Sequence, residues 1–133
     1  MSPAAADEAR RYRALIVEDD PAIRRLVEKL LSRQKIDIDT ASDGQMAMEC
    51  LRTGDYTVIV LDLMVPGING FELIEAVKQL PKRPPVAVVS AVSHQALTQL
   101  DLDVVKLVIS KPFDVDEFTK AILTLCADAD DAS

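Results

Sequence analysis

The sequence predicts a doubly wound α/β domain with one five-stranded parallel sheet, ordered 2-1-3-4-5, and helices on both faces. Three observations predict it. Short apolar runs rich in β-branched residues recur at residues 14–17, 36–41, 58–61, 86–91 and 105–110. Segments with helical spacing of apolar residues lie between them, and this alternation demands parallel strands joined by right-handed crossovers. Acidic side chains stand where the first and third runs end, Glu18 with Asp19 and then Asp62. In that strand order the first and third strands are neighbours, and the carboxyl edge between them is where such sheets place their chemistry.

The third run organises the rest. Val58, Ile59, Val60 and Leu61 suit a strand buried on both faces, and Asp62 follows at its end. Pro66, Gly67, Asn69 and Gly70 make a turn-rich loop, after which Phe71, Ile74 and Val77 repeat at helical spacing. The first run ends in Glu18-Asp19-Asp20. Asp20 before Pro21 is a helix start, with an N-cap carboxylate and Pro at the first helical position. Ile23, Leu26, Val27, Leu30 and Leu31 form an apolar stripe, and that helix should end near Lys35.

Residues 36–41 alternate as IDIDTA, which suits a strand with one wet side at a sheet edge. Asp43 can cap the next helix, packed through Ala47, Cys50 and Leu51 and stopped at Gly54. Pro81, Pro84 and Pro85 break the chain before the fourth strand, and a short helix is expected around residues 94–100. Lys111-Pro112-Phe113 closes the fifth strand. Asp114, with Glu117 three residues on, starts a last helix whose Phe118, Ile122 and Leu125 face the core. Residues 1–12 read as a flexible leader, 13–127 as the domain, and 128–133 as a flexible acidic tail.

The totals exclude several classes. The 133 residues suffice for one self-supporting core. With 49% hydrophobic residues but only 4% aromatic, that core is aliphatic. A formal charge of −7 argues against direct nucleic-acid binding, which needs a basic face. No apolar run approaches the roughly 20 residues that cross a bilayer, and no signal peptide opens the chain, so a cytoplasmic setting is expected. Cys50 and Cys126 lie in helical patterns without CxxC or His neighbours, and read as free buried thiols.

Three carboxylates gathered at one sheet edge repel by about 3 kcal/mol per pair, for about 5 Å and an effective dielectric of about 20. A hard divalent cation such as Mg²⁺ resolves that conflict. Acidic residues at strand ends are often only solvated or cap the next helix, which is the reading for Asp20. For Glu18 and Asp19 it fails, because Ser90 ends the fourth strand and Lys111 the fifth. Asp, hydroxyl, Lys and a divalent ion together suit a phosphoryl group, whose oxygens metal, hydroxyl and ammonium would share.

At this point the sequence resembles the receiver domain of two-component response regulators, a flavodoxin-like three-layer sandwich. The resemblance spans residues 13–127 and rests on LIVEDD at the first strand, VLDLMVPGINGFEL, VVSA and ISKPF. It implies that Asp62 is the phosphoacceptor. Glu18, Asp19, Asp62 and the backbone carbonyl of Met64 would hold Mg²⁺, Ser90 would be the switch hydroxyl, and Lys111 the phosphate-binding lysine, joined to Pro112 by a cis bond. It also implies a phosphohistidine donor on a sensor histidine kinase or a histidine phosphotransfer protein. Output would pass to a downstream protein or a missing output domain, and a second copy of the chain is a further candidate partner.

Three features depart from the family pattern. Val108 replaces the aromatic three residues before the Lys. Val104 and Val105 stand where Gly-Ala is usual, and the chain stops soon after its last helix, so no output domain is expected within it. Such a chain is a signalling module rather than an enzyme, catalysing only its own phosphorylation and dephosphorylation. The positions two past the acceptor and two past the switch hydroxyl are Met64 and Val92, both apolar.

Other readings meet specific obstacles. A haloacid-dehalogenase-like phosphatase needs a second Asp two residues past its nucleophile, where this chain has Met64. A flavodoxin-like electron carrier needs a Ser/Thr/Gly-rich phosphate loop where Glu18-Asp19-Asp20-Pro21 stands. A pseudo-receiver, used only as an interaction surface, would not need the full set of Asp62, Ser90 and Lys111.

Overall fold

Five parallel strands form one sheet in the order β2-β1-β3-β4-β5. The strands are β1 (Tyr12–Val17), β2 (Ile36–Ala41), β3 (Val58–Leu61), β4 (Val86–Ser90) and β5 (Val105–Ser110). The helices are α1 (Pro21–Ser32), α2 (Gly44–Thr53), α3 (Gly70–Lys78) and α4 (Val115–Ala132). This computed structural model describes residues 12–64, 67, 70–91 and 98–132. Residues 94–97 of the helix expected around 94–100, Pro66 and Asn69 of the expected loop, most of the leader, and Val92 lie outside the described residues, while residues 98–100 form a turn.

Strand periodicity sorts the core into two layers. Ala14, Ile16, Val58, Val60, Ala87 and Val89 point to one face, where Val27 and Leu31 of α1 and Phe118, Ile122 and Cys126 of α4 cover them. Leu15, Val17, Ile59, Leu61 and Val88 point to the other, against Ala47 and Leu51 of α2 and Leu73, Ile74 and Val77 of α3. Helices on both faces of a parallel sheet make three layers, as the alternation of elements demands.

The caps behave as the sequence indicates. The Asp20 carboxylate accepts from the amides of Ala22 and Ile23, Asp43 from Met46, and Asp114 from Glu117. Each leaves its helix starting at the upper, carboxyl edge of the sheet. Helix α3 begins hard against the chain that precedes it: a Cβ on Gly70 would lie 2.7 Å from Leu63 Cα. Glycine at that position lets the start of the helix lie against Leu63, two residues past the end of β3.

Several expectations are corrected. β1 starts at Tyr12, pairing with Ile36, so residue 12 belongs to the sheet and not to a leader. α1 stops at Ser32, short of Lys35, because Gln34 and Lys35 donate back to the carbonyls of Leu31 and Ser32 and Lys35 turns left-handed at φ 60°. Leu26, assigned to the buried stripe, is 41% exposed, since Val27 and Leu31 hold the contact line and Leu26 sits on its outer shoulder. β4 ends at Ser90, one residue early. α4 continues to Ala132, so residues 128–132, expected as a loose tail, are helical, and Ala127, Ala129 and Ala132 supply strong helix formers there. Cys50 is half-buried rather than buried, whereas Cys126 is fully buried and its thiol is pushed up to about 11 by burial.

Candidate functional site

Register brings the chemistry together before any side chain is considered. β1 and β3 run in step to the pair Val17–Leu61, and the amide of Asp62 donates to the Val17 carbonyl at 3.0 Å. Glu18 and Asp62 therefore leave neighbouring strands side by side. β4 and β5 run in step to Ser90–Ser110, and the Lys111 amide donates to the Ser90 carbonyl at 3.2 Å. The Lys111–Pro112 bond is cis.

Asp62 is buried, and three donors grip it. Oδ1 accepts from the amide of Met64 and from Ser90 Oγ, each at 2.9 Å, while Oδ2 accepts from Lys111 Nζ at 3.0 Å. Burial alone would raise its pKa, but the Met64, Lys111 and Ser90 hydrogen bonds outweigh it and hold the carboxyl below the usual range. Asp62 is thus ionised, with its oxygens aimed by fixed donors.

Glu18 is buried beside it. Its Oε1 accepts from Lys111 Nζ at 2.7 Å and its Oε2 from the amide of Asp20 at 3.2 Å. Burial pushes the Glu18 carboxyl above its ordinary value despite the Lys111 bond. Burial works to lower Lys111, but the two carboxylates raise it, so the ammonium persists. Asp19 is exposed at the rim. Carboxylate oxygens of Glu18, Asp19 and Asp62 lie within 4.8 Å of one another. An all-oxygen donor set from three carboxylates fits a hard divalent cation that keeps several of its waters. Asp20 is turned away into its capping role.

Met64, two residues past Asp62, is 68% exposed. An ionised carboxylate flanked by an ammonium and a hydroxyl, within a cluster of three acids that could hold a cation, can accept a phosphoryl group and share out its charge.

The family model for the response regulator receiver domain matches residues 14–123. The chain belongs to that family. Over 106 residues it is 34% identical to the transcriptional regulatory protein TcrA of Mycobacterium tuberculosis, covering 79% of this chain and 42% of TcrA. Over 110 residues it is 33% identical to the response regulator ArlR of Staphylococcus saprophyticus, covering 81% of this chain and 49% of ArlR. The receiver therefore spans about half the length, or less, of these relatives. The response regulator TrrA of Thermotoga maritima, solved in complex with Mg²⁺ and BeF, superposes with a TM-score of 0.76 at 30% identity, over 86% of this chain and 98% of TrrA.

Within this receiver two relationships were not visible in the sequence. Lys111 was assigned to a phosphate, yet it also bridges Glu18 and Asp62, a placement that depends on how a long flexible side chain packs. Arg24 was given no role. Its guanidinium reaches back over the acidic loop to the carbonyls of Glu18 and Asp19, and nothing in its spacing separates it from its neighbour Arg25.

Proposed function

We propose that Asp62 is the phosphoacceptor of this two-component receiver, taking the phosphoryl group of a phosphohistidine on a sensor histidine kinase or histidine phosphotransfer protein. The observation that carries the reading is the grip on Asp62: a buried, ionised carboxylate held by Ser90, Lys111 and the Met64 amide, with Glu18 and Asp19 in reach. In the transfer, an Asp62 oxygen forms the new P–O bond as the P–N bond to the donor imidazole breaks, and the imidazole keeps the electron pair and takes a proton. Lys111 neutralises oxygens of the incoming group, and Ser90 can turn its hydroxyl from Asp62 to that group.

Glu18, Asp19, Asp62 and the Met64 carbonyl would hold Mg²⁺. When bound, the ion supplies charge neutralisation for phosphoryl oxygens close to the carboxylate. The module acts on itself alone, in the cytoplasm, and passes its state to a downstream protein or to an output domain, with a second receiver as a further partner.

The reading is tested by intact mass after treatment with acetyl phosphate and Mg²⁺. One phosphoryl group is expected on the wild type and none on Asp62→Asn. Equal labelling of the two would overturn it.

A further inference from the structure

The acidic loop after β1 has to hold Glu18 and Asp19 toward Asp62 although all three repel. Its main-chain groups show how. The Glu18 amide is taken by the Ala41 carbonyl, and the Asp20 amide by the Glu18 carboxylate. The Asp20 carbonyl is taken by the amide of Arg24, the first hydrogen bond of α1. Of the loop's carbonyls, that leaves those of Glu18 and Asp19. Both are met by Nη1 of Arg24, at 3.0 Å and, more loosely, at 3.4 Å.

One terminal nitrogen with two hydrogens therefore spans two consecutive peptides. Because the peptide unit is planar, fixing those carbonyl oxygens fixes the planes on either side of Asp19 and the directions in which the side chains of Glu18 and Asp19 leave the chain. The guanidinium takes main-chain oxygens and leaves both carboxylates to the cluster with Asp62. Arg24 is half-buried and anchored in the first turn of α1, whose start is itself fixed by the Asp20 cap. A lysine there would keep the charge, but its ammonium ends one bond short of the place where Nη1 meets the two carbonyls.

We propose that Arg24 is a positioning residue for the divalent-cation site, clasping the two carbonyls so that Glu18 and Asp19 present their carboxylates together with Asp62. The inference rests on the receiver reading of those three acids. Groups that orient metal ligands without touching the metal typically contribute tenfold or more to affinity. The clasp works against the guanidinium's own positive charge, which by itself weakens cation binding, so the two contributions have opposite signs and can be told apart.

Mg²⁺ alone is titrated calorimetrically into the wild type and into Arg24→Gln, Arg24→Lys and Arg25→Gln at constant ionic strength, with thermal melts alongside. Arg25 is the exposed neighbour on the same helix, so its variant makes the same charge change without the clasp. Arg24→Gln should bind Mg²⁺ about tenfold more weakly than Arg25→Gln. Arg24→Lys should also fall below the wild type. Equal affinities in Arg24→Gln and Arg25→Gln, or tighter binding in Arg24→Gln, overturn the inference and leave the receiver reading standing. So does a lower melting temperature with unchanged affinity, or wild-type affinity in Arg24→Lys, which also decides the matter if the Gln variant does not fold. Absence of Mg²⁺ binding in the wild type would overturn the cation-site reading and this inference together.

Discussion

Lys111 Nζ lies 2.7 Å from Glu18 Oε1, joining the end of the fifth strand to the end of the first across 93 positions of sequence. The same ammonium reaches Asp62 at 3.0 Å. Without a metal ion, Lys111 is the charge that lets two buried carboxylates stand together. Mg²⁺ held among these acids would draw on the same two carboxylates as Lys111, so the two cations are expected to compete.

Lys111→Met should therefore destabilise the metal-free protein by about 3 kcal/mol, the cost of leaving buried charge unpaired. Mg²⁺ should restore more stability to the variant than it adds to the wild type. Melting temperatures with and without Mg²⁺ measure both effects. An equal Mg²⁺ increment in the two proteins would show that lysine and metal do not compete.

Much of this site could be read from order along the chain. Asp62 announces itself because a doubly buried strand has to end before a carboxylate can find polar partners, and Ser90 and Lys111 occupy the same place on their own strands. Strand order then followed from crossover handedness, and the two core layers from residue parity. What escaped were contacts made by long side chains across elements. The Lys111–Glu18 pair depends on a rotamer, and the reach of Arg24 depends on a loop that folds back beneath its own helix. The bond between Tyr56 and Asp39 depends on register at the far edge of the sheet. The helical state of residues 128–132 escaped because three acidic residues at a C-terminus oppose the helix dipole, and the intervening alanines prevail.

Asp39 gives the acid limb of stability a specific component. Its carboxylate accepts from Tyr56 Oη at 2.7 Å and from Arg13 Nη2 at 2.6 Å, and the Arg13 guanidinium stands 5.1 Å from the Tyr56 ring centre. The Tyr56 bond first, against the opposing effect of burial, and then Arg13 hold the Asp39 carboxyl below its ordinary value. A depressed folded-state pKa contributes stability that is present above the unfolded value, about 3.9, and is lost as pH falls through the folded value. Asp39→Asn should be less stable than the wild type at neutral pH, and the gap should close as pH drops below about 4. Denaturant melts of both proteins across that range measure the gap. A gap that stays constant would mean that the Asp39 charge contributes nothing.

Gly70→Ala sets two effects against each other. Alanine gains up to about 1 kcal/mol of helix propensity over glycine. The new methyl, however, would lie 2.7 Å from Leu63 Cα and 2.8 Å from Leu63 Cδ2, and the first of these is main chain that cannot swing aside. Overpacking of this kind typically costs about 1–3 kcal/mol. Net destabilisation is expected, together with slower phosphorylation, since Leu63 follows Asp62 directly. A higher melting temperature in the variant would mean that the start of α3 shifts freely.

The lifetime of the phosphorylated form should depend on Met64. An aspartyl phosphate is lost when water attacks in line with the P–O bond, and a polar side chain beside that approach can orient the water. Met64 is two residues past Asp62, its amide already committed to Oδ1 and the residue 68% exposed. A thioether is only a weak acceptor and cannot donate, so it positions water poorly. Met64→Asn replaces it with a shorter amide that both donates and accepts. Each 1.4 kcal/mol of added transition-state stabilisation speeds the step about tenfold, and one well-placed hydrogen bond is of that size. The Asn variant should therefore lose its phosphoryl group about tenfold faster than the wild type. Decay is followed by intact mass after the phosphodonor is removed, with Met64→Leu as a control for apolar bulk. If all three decay at one rate, Lys111 and main-chain groups set the lifetime and the side chain at position 64 is a bystander.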